Sequence, residues 1–291
     1  RPITTSFASL AANEAVLKDD LVDFLSPHIY RPDLPKRLVA LSETFSKYNK
    51  PFFVGEFGRG WTADVDLEDF EGAAFRGALW STLMTPAAGA PLAWWWDIVI
   101  VPRDFHRYMN AASRFVKDED RRGVRLTAIL LDLPTTHERT CSLVGLVSEH
   151  SLHAYLFDPQ MGLHPQRQLP PLLPMDATLT LQGFLDGEYL LEVWDTRNGE
   201  VISSRRLNAR DGRVALPLPA SEVDFAVKLK KVNYQAPAVE RFEMAEPHEG
   251  RAPPGGRTGQ SNLRRRRREE SARRFPAAGI LPISLVAFSV R

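Results

Sequence analysis

Residues 51–58 read PFFVGEFG. Pro51 opens the run, Phe52, Phe53 and Val54 are continuously apolar, and Gly55-Glu56-Phe57-Gly58 closes it. A short apolar run bounded by proline and glycine predicts a strand covered on both faces, the habit of parallel sheets. A carboxylate directly after such a strand stands where α/β barrels keep their chemistry, at a strand's carboxyl end. Upstream, residues 21–30 (LVDFLSPHIY) predict a second strand that ends in polar and aromatic groups. Its alternation turns His28 and Tyr30 toward the same face. Residues 3–7 (ITTSF) are β-rich, and 13–18 read as a helix. Residues 34–48 carry apolar side chains at 34, 38, 39, 41 and 45, close to helical spacing. Downstream, residues 67–84 predict one helix with acids in its first turn, 90–97 (APLAWWWD) another apolar strand, and 105–116 a last helix. The order β, βα, βα, βα predicts an α/β unit over residues 1–122.

From about residue 125 the period changes. Short strands are predicted at 126–131, 142–147, 153–158, 178–181, 189–194, 201–205, 213–218 and 224–229. Asp186-Gly187, Asn198-Gly199 and Asp211-Gly212 supply turns between them. Eight such strands predict an antiparallel β-sandwich over 123–235. Residues 236–291 hold 11 arginines and no lysine against 6 glutamates, and 251–259 (RAPPGGRTG) have no periodicity, so a disordered basic tail is expected.

Composition narrows the function. With 291 residues, 44% apolar and 25% charged, the chain has ordinary globular composition, and a net charge of +1 argues against wholesale nucleic-acid binding. The arginine run 264–268 could meet phosphates only through counterion release, and no aromatic residue interleaves with it. Residues 275–290 are apolar but contain Pro276 and Pro282, so no membrane span is expected. Cys141 is the single cysteine, which excludes a disulfide framework and a thiolate zinc site. His137, His150 and His153 do not fit a metal helix, and no metal or cofactor is expected.

Glu56 is the sharpest candidate for chemistry. A carboxylate there can attack an anomeric carbon or act as a base. The Tyr30 hydroxyl could hold it ionised and oriented. Alternation places Trp94 and Trp96 on one face and Trp95 on the other, so the former pair could form a flat platform for a sugar ring. Trp61, just after the Glu56 loop, could line a sugar subsite.

The segments SPHIY, KPFFVGEFG and PLAWWWD, in that order, resemble strands six, seven and eight of a clan-A glycoside hydrolase barrel, with family 5 cellulases and mannanases as the nearest kin. RPITTSF would be strand five. The resemblance implies the C-terminal half of a (β/α)8 TIM barrel followed by the sandwich. It implies Glu56 as catalytic nucleophile, His28, Tyr30, Trp61, Trp94 and Trp96 as substrate-binding residues, a polysaccharide or oligosaccharide substrate, and a secreted or periplasmic setting. WDTRNGEV (194–201), followed by a DG turn, LPLP and DFAVKL (224–229), resembles the β-sandwich appended to many such enzymes, some of whose relatives carry a collagen-binding label. The family's acid/base glutamate ends strand four after an asparagine. Asn13-Glu14 follows SFASLAA rather than a buried strand, so it does not fit that place. The expectation is therefore a fragment of a retaining β-glycoside hydrolase, inactive alone. The alternative is a non-catalytic carbohydrate- or matrix-binding protein that uses its β-sandwich.

Overall fold

The computed structural model describes residues 2–8, 14–121, 124–135, 140–163, 172–173, 176–234 and 283–290. The first half runs β1 (Thr4–Phe7), α1 (Glu14–Lys18), β2 (Phe24–Tyr30), α2 (Leu34–Ser46), β3 (Glu56–Gly58), α3 (Ala63–Leu67), α4 (Ala73–Leu83) and α5 (His106–Val116). β1, β2 and β3 form a parallel sheet in chain order, and Ala93 continues that order through a parallel bridge to Phe57. The α2 stripe is as the spacing requires: Leu34, Leu38, Val39, Leu41 and Phe45 are all buried.

Three local readings are corrected. Regular pairing in the PFFVGEFG segment falls on Glu56–Gly58, and Phe52 makes only an isolated bridge to Leu25. Leu25 N–H donates to Pro51 O at 2.9 Å and Phe53 N–H to Leu25 O at 3.1 Å. The next donor on β2 would be Pro27, which has no N–H, so one rung of the ladder is lost before Gly55 N–H donates to Pro27 O at 3.0 Å and regular pairing begins at His28. The helix expected at 67–84 starts only at Ala73, as α4, because residues 68–72 form a turn after the short α3 and Gly72 takes φ +64° there. Asp69 sits in that break, and its Oδ2 accepts the Phe75 N–H at 3.0 Å, satisfying an open donor in the first turn of α4. The strand expected at 90–97 holds the sheet only at 92–94, through Phe57 N–H to Leu92 O (2.9 Å) and Trp94 N–H to Phe57 O (3.0 Å). The chain then turns into one π-helical turn, Trp96–Ile100.

In the second half all eight expected strands are present: β4 (Thr127–Pro134), β5 (Thr140–Ser148), β6 (Ser151–Phe157), β7 (Ala177–Gln182), β8 (Gly187–Asp195), β9 (Glu200–Ala209), β10 (Arg213–Leu218) and β11 (Phe225–Lys231). A ninth, β12 (Ser284–Val290), comes from the segment expected to be disordered. It pairs antiparallel with β7 and turns Leu285 and Phe288 toward the core of the smaller sheet. The remainder of that tail, including 251–259 and the arginine run 264–268, lies outside the described residues, as does His137. The sheets have the orders β4-β5-β6-β11-β8-β9 and β10-β7-β12.

The six-stranded sheet is the middle layer of the molecule. Leu143, Leu156 and Val227 share a core with Leu179 and Leu216 of the small sheet. Their neighbours Val144, Tyr155 and Ala226 face the other way and share a core with Trp80 and Phe115 of α4 and α5. That two-sided burial explains why β5 and β6 read as continuous apolar runs rather than as alternating ones. Cys141 is buried within this sheet. No helix among the described residues is long and apolar enough to cross a membrane.

Candidate active site

Parallel pairing of β2 with β3 sets His28 directly beside Glu56. Tyr30, two residues on, projects from the same face. Both side chains reach the carboxylate. Tyr30 Oη–H donates to Glu56 Oε2 at 2.6 Å, and His28 Nδ1 lies 3.0 Å from the same oxygen. Both contacts fall on one oxygen, Oε2, and neither engages Oε1. The pair is partly shielded: the His28 side chain is 17% and the Glu56 side chain 25% exposed, so a substrate can reach the carboxylate. Burial, followed by the bond to Glu56, pushes the Tyr30 hydroxyl well above its ordinary range, so it stays a proton donor.

Gly55 packs against β2. A Cβ there would run into Ser26 Oγ and would meet the His28 ring at 3.4 Å. The missing side chain is filled by β2 itself, which lets the two strands close and brings Glu56 within reach of His28. At Gly58 a Cβ would stand 3.1 Å from both Tyr30 and Asp66.

Aromatic rings flank the carboxylate. Trp61 stacks on Tyr30 with centroids 4.6 Å apart and planes 26° from parallel, and its own side chain is largely exposed. Trp94 and Trp96 are exposed, while Trp95 packs into the core, so the expected division of the three indoles holds although the backbone there is a turn. Trp94 stands one residue beyond the Ala93–Phe57 bridge, on the segment next to β3.

Two residues of the site had no signal in the sequence. Arg59 is buried, and its guanidinium donates to Val65 O, Gly162 O (3.0 Å) and Leu163 O (3.3 Å). Asp66 accepts the Arg59 N–H with both carboxylate oxygens at 3.1 Å. Together they pin the turn that carries Trp61, and Arg59 ties it to the loop after β6. Burial raises the Asp66 carboxyl to about 6, against the lowering effect of the Arg59 N–H. Arg59 lies between two glycines and Asp66 among other acids, so neither stands out before the fold is known. Glu14, by contrast, is an exposed helix residue paired with Lys18 at 2.7 Å. No cluster of His, Cys, Asp and Glu among the described residues has the arrangement of a metal site.

No family model matches the chain, and no curated protein does. Solved structures similar to it are glycoside hydrolases. A family 30 subfamily 8 xylanase from Clostridium acetobutylicum superposes with a TM-score of 0.43 at 13% identity, covering 78% of this chain and 55% of the xylanase. A glucosidase from Croceicoccus marinus gives 0.37 at 12%, covering 72% and 54%. A family 44 endoglucanase from Clostridium thermocellum gives 0.37 at 11%, covering 72% and 47%. The chain thus spans about half the length of each.

Proposed function

We propose that this chain carries the nucleophile half of a retaining β-glycoside hydrolase site, of the family 5 kind that its strand-end motifs resemble, acting on a polysaccharide or oligosaccharide. The observation that carries the reading is the convergence of the Tyr30 hydroxyl and His28 Nδ1 on a single oxygen of Glu56. Two groups converging on one oxygen fix the orientation of the carboxylate. The free oxygen, Oε1, attacks the anomeric carbon as the glycosidic C–O bond breaks and the departing aglycone oxygen takes a proton from the acid/base, leaving a glycosyl ester; water, deprotonated by the same acid/base, then cleaves it and releases Glu56. Trp61, Trp94 and Trp96 offer flat apolar faces to sugar rings. A retaining mechanism also requires an acid/base carboxyl about 5–5.5 Å from the nucleophile. No described residue is assigned that role, and in this proposal it comes from the barrel segment that the resemblance places before strand five. A secreted or periplasmic setting belongs to the same proposal.

The test bypasses the acid/base. A 2-deoxy-2-fluoroglycoside with a dinitrophenolate leaving group departs without protonation, so the nucleophile alone suffices for trapping. The expected result with gluco, manno or xylo probes is a stoichiometric mass increase on the peptide holding Glu56, absent in Glu56→Gln. Labelling of another residue, or of none with all three sugars, rejects the assignment.

A further inference from the structure

A second site lies far along the chain from Glu56, at the seam between the end of α5 and the six-stranded sheet. There a cavity of about 210 Å³ is lined by residues of the segment after α5 and by β6, β11 and their ends. Three of its side chains carry buried nitrogen atoms with no hydrogen-bond partner, Arg121 Nη2, His150 Nδ1 and His153 Nδ1, while His153 Nε2 faces Glu119. Each is held in place by its other contacts. Arg121 Nη1 donates to Leu83 O at 2.8 Å. The His150 ring stacks on Tyr234 at 3.6 Å. His153 packs edge-on against Phe115, with only 5% of its side chain exposed.

The carboxylate nearest this cluster is already engaged. Glu119 pairs with Lys228 at 2.9 Å and with Lys230 at 3.1 Å, while His153 Nε2 stands 3.5 Å away. Asp118 and Asp120 also line the cavity, opposed by Arg121, Lys230 and Lys231. A guanidinium can only donate, and a buried donor left unmade costs about 1–3 kcal/mol, more when charged. A bound cation cannot relieve Arg121. A group presenting several acceptor oxygens at once can.

We infer that this cavity binds a small oxyanion, phosphate or the carboxylate of a short organic acid, held by Arg121, His150 and Lys231. The oxyanion accepts from Arg121 Nη2 and from His150 Nδ1, His153 lines the pocket beside it, and Lys231 supplies a further positive charge. The site is independent of the glycosidase reading.

The experiment uses the full chain and follows the ring C–H resonances of its histidines by NMR, at fixed pH and fixed ionic strength. Inorganic phosphate and acetate are titrated separately against chloride. The expected result is a saturable shift confined to His150 and His153. Saturation by phosphate alone identifies a tetrahedral oxyanion site, and saturation by acetate identifies a carboxylate site. Arg121→Gln is expected to weaken binding at least tenfold. Lys231→Gln, at the end of β11, where the fold is least exposed to disruption, is expected to weaken it about threefold. If neither anion shifts the two histidines, or if both variants bind as the parent does, the inference is wrong.

Discussion

Tyr30 contributes a single hydroxyl to the site, and its ring has a separate task. The hydroxyl donates to Glu56 at 2.6 Å while the ring carries Trp61. Tyr30→Phe should therefore separate the two. A hydrogen bond to a charged group is worth about 1.5–3 kcal/mol, so the rate of covalent trapping at Glu56 should fall roughly 10- to 150-fold. The concentration of fluoroglycoside giving half-maximal rate should stay nearly constant, because the Trp61 stack remains. An unchanged trapping rate would show that Tyr30 does not orient the carboxylate. This part of the site was legible in the sequence because a period of two fixes which side chains share a strand face. The register between strands was not legible. It depends on Gly55 fitting against Ser26 and His28, a contact between residues that lie 29 and 27 positions apart in the sequence.

Whole elements were readable where their pattern is local, and were misread where a neighbour decides. α2 follows its own apolar stripe, and eight short strands follow their own turns. The break between α3 and α4 rests on Gly72, whose left-handed backbone turns the chain so that α4 packs beneath Phe105 and Tyr108. A Cβ at Gly72 would stand 2.6 Å from Tyr108 and 3.1 Å from Phe105. Gly72→Ala therefore meets two penalties, about 1–2 kcal/mol for a left-handed alanine and the displacement of a buried ring. With about 1–3 kcal/mol for the displaced ring, a melting temperature lower by about 4–20 °C is expected, at roughly 2–4 °C per kcal/mol for a molecule of this size. A variant that melts with the parent would mean the α3–α4 turn relaxes freely. β12 was illegible for a related reason. Its alternation is short and imperfect, with a register shift between Leu285 and Ala287, and only the open edge of β7 makes it a strand.

At the scale of the molecule, a fully buried ion pair joins the two halves, its partners 148 residues apart. Arg76 on α4 reaches Asp224 with Nη2 to Oδ1 at 2.8 Å and Nε to Oδ2 at 3.2 Å. Tyr155 Oη–H and Thr196 Oγ1–H donate to the same Oδ2 at 3.0 and 2.8 Å, and Trp80 Nε1–H donates to Thr196 O at 3.1 Å. Burial, the largest single effect, would raise the Asp224 carboxyl, but the Arg76 guanidinium and the Thr196 and Tyr155 hydroxyls together outweigh it and hold the group below its ordinary range. In sequence Arg76 looks like one charge on a helix face, because nothing local names its partner. Removing one member of such a pair strands the other and costs about 3–5 kcal/mol, whereas replacing both with apolar groups of similar size is often neutral. Asp224→Leu should therefore lower the melting temperature by about 6–20 °C, and Arg76→Met combined with Asp224→Leu should recover most of the loss. The shared core of Trp80, Phe115, Val144 and Tyr155 adds a further expectation, that both halves unfold together. Near-ultraviolet circular dichroism, which reports the buried indole of Trp80, and far-ultraviolet circular dichroism, which is dominated here by the sheets, should give one coincident transition in the parent and in both variants. Two separated transitions, with Asp224→Leu moving only the one that belongs to the sheets, would mean that the sandwich is an independent module and that the ion pair is a contact between finished domains.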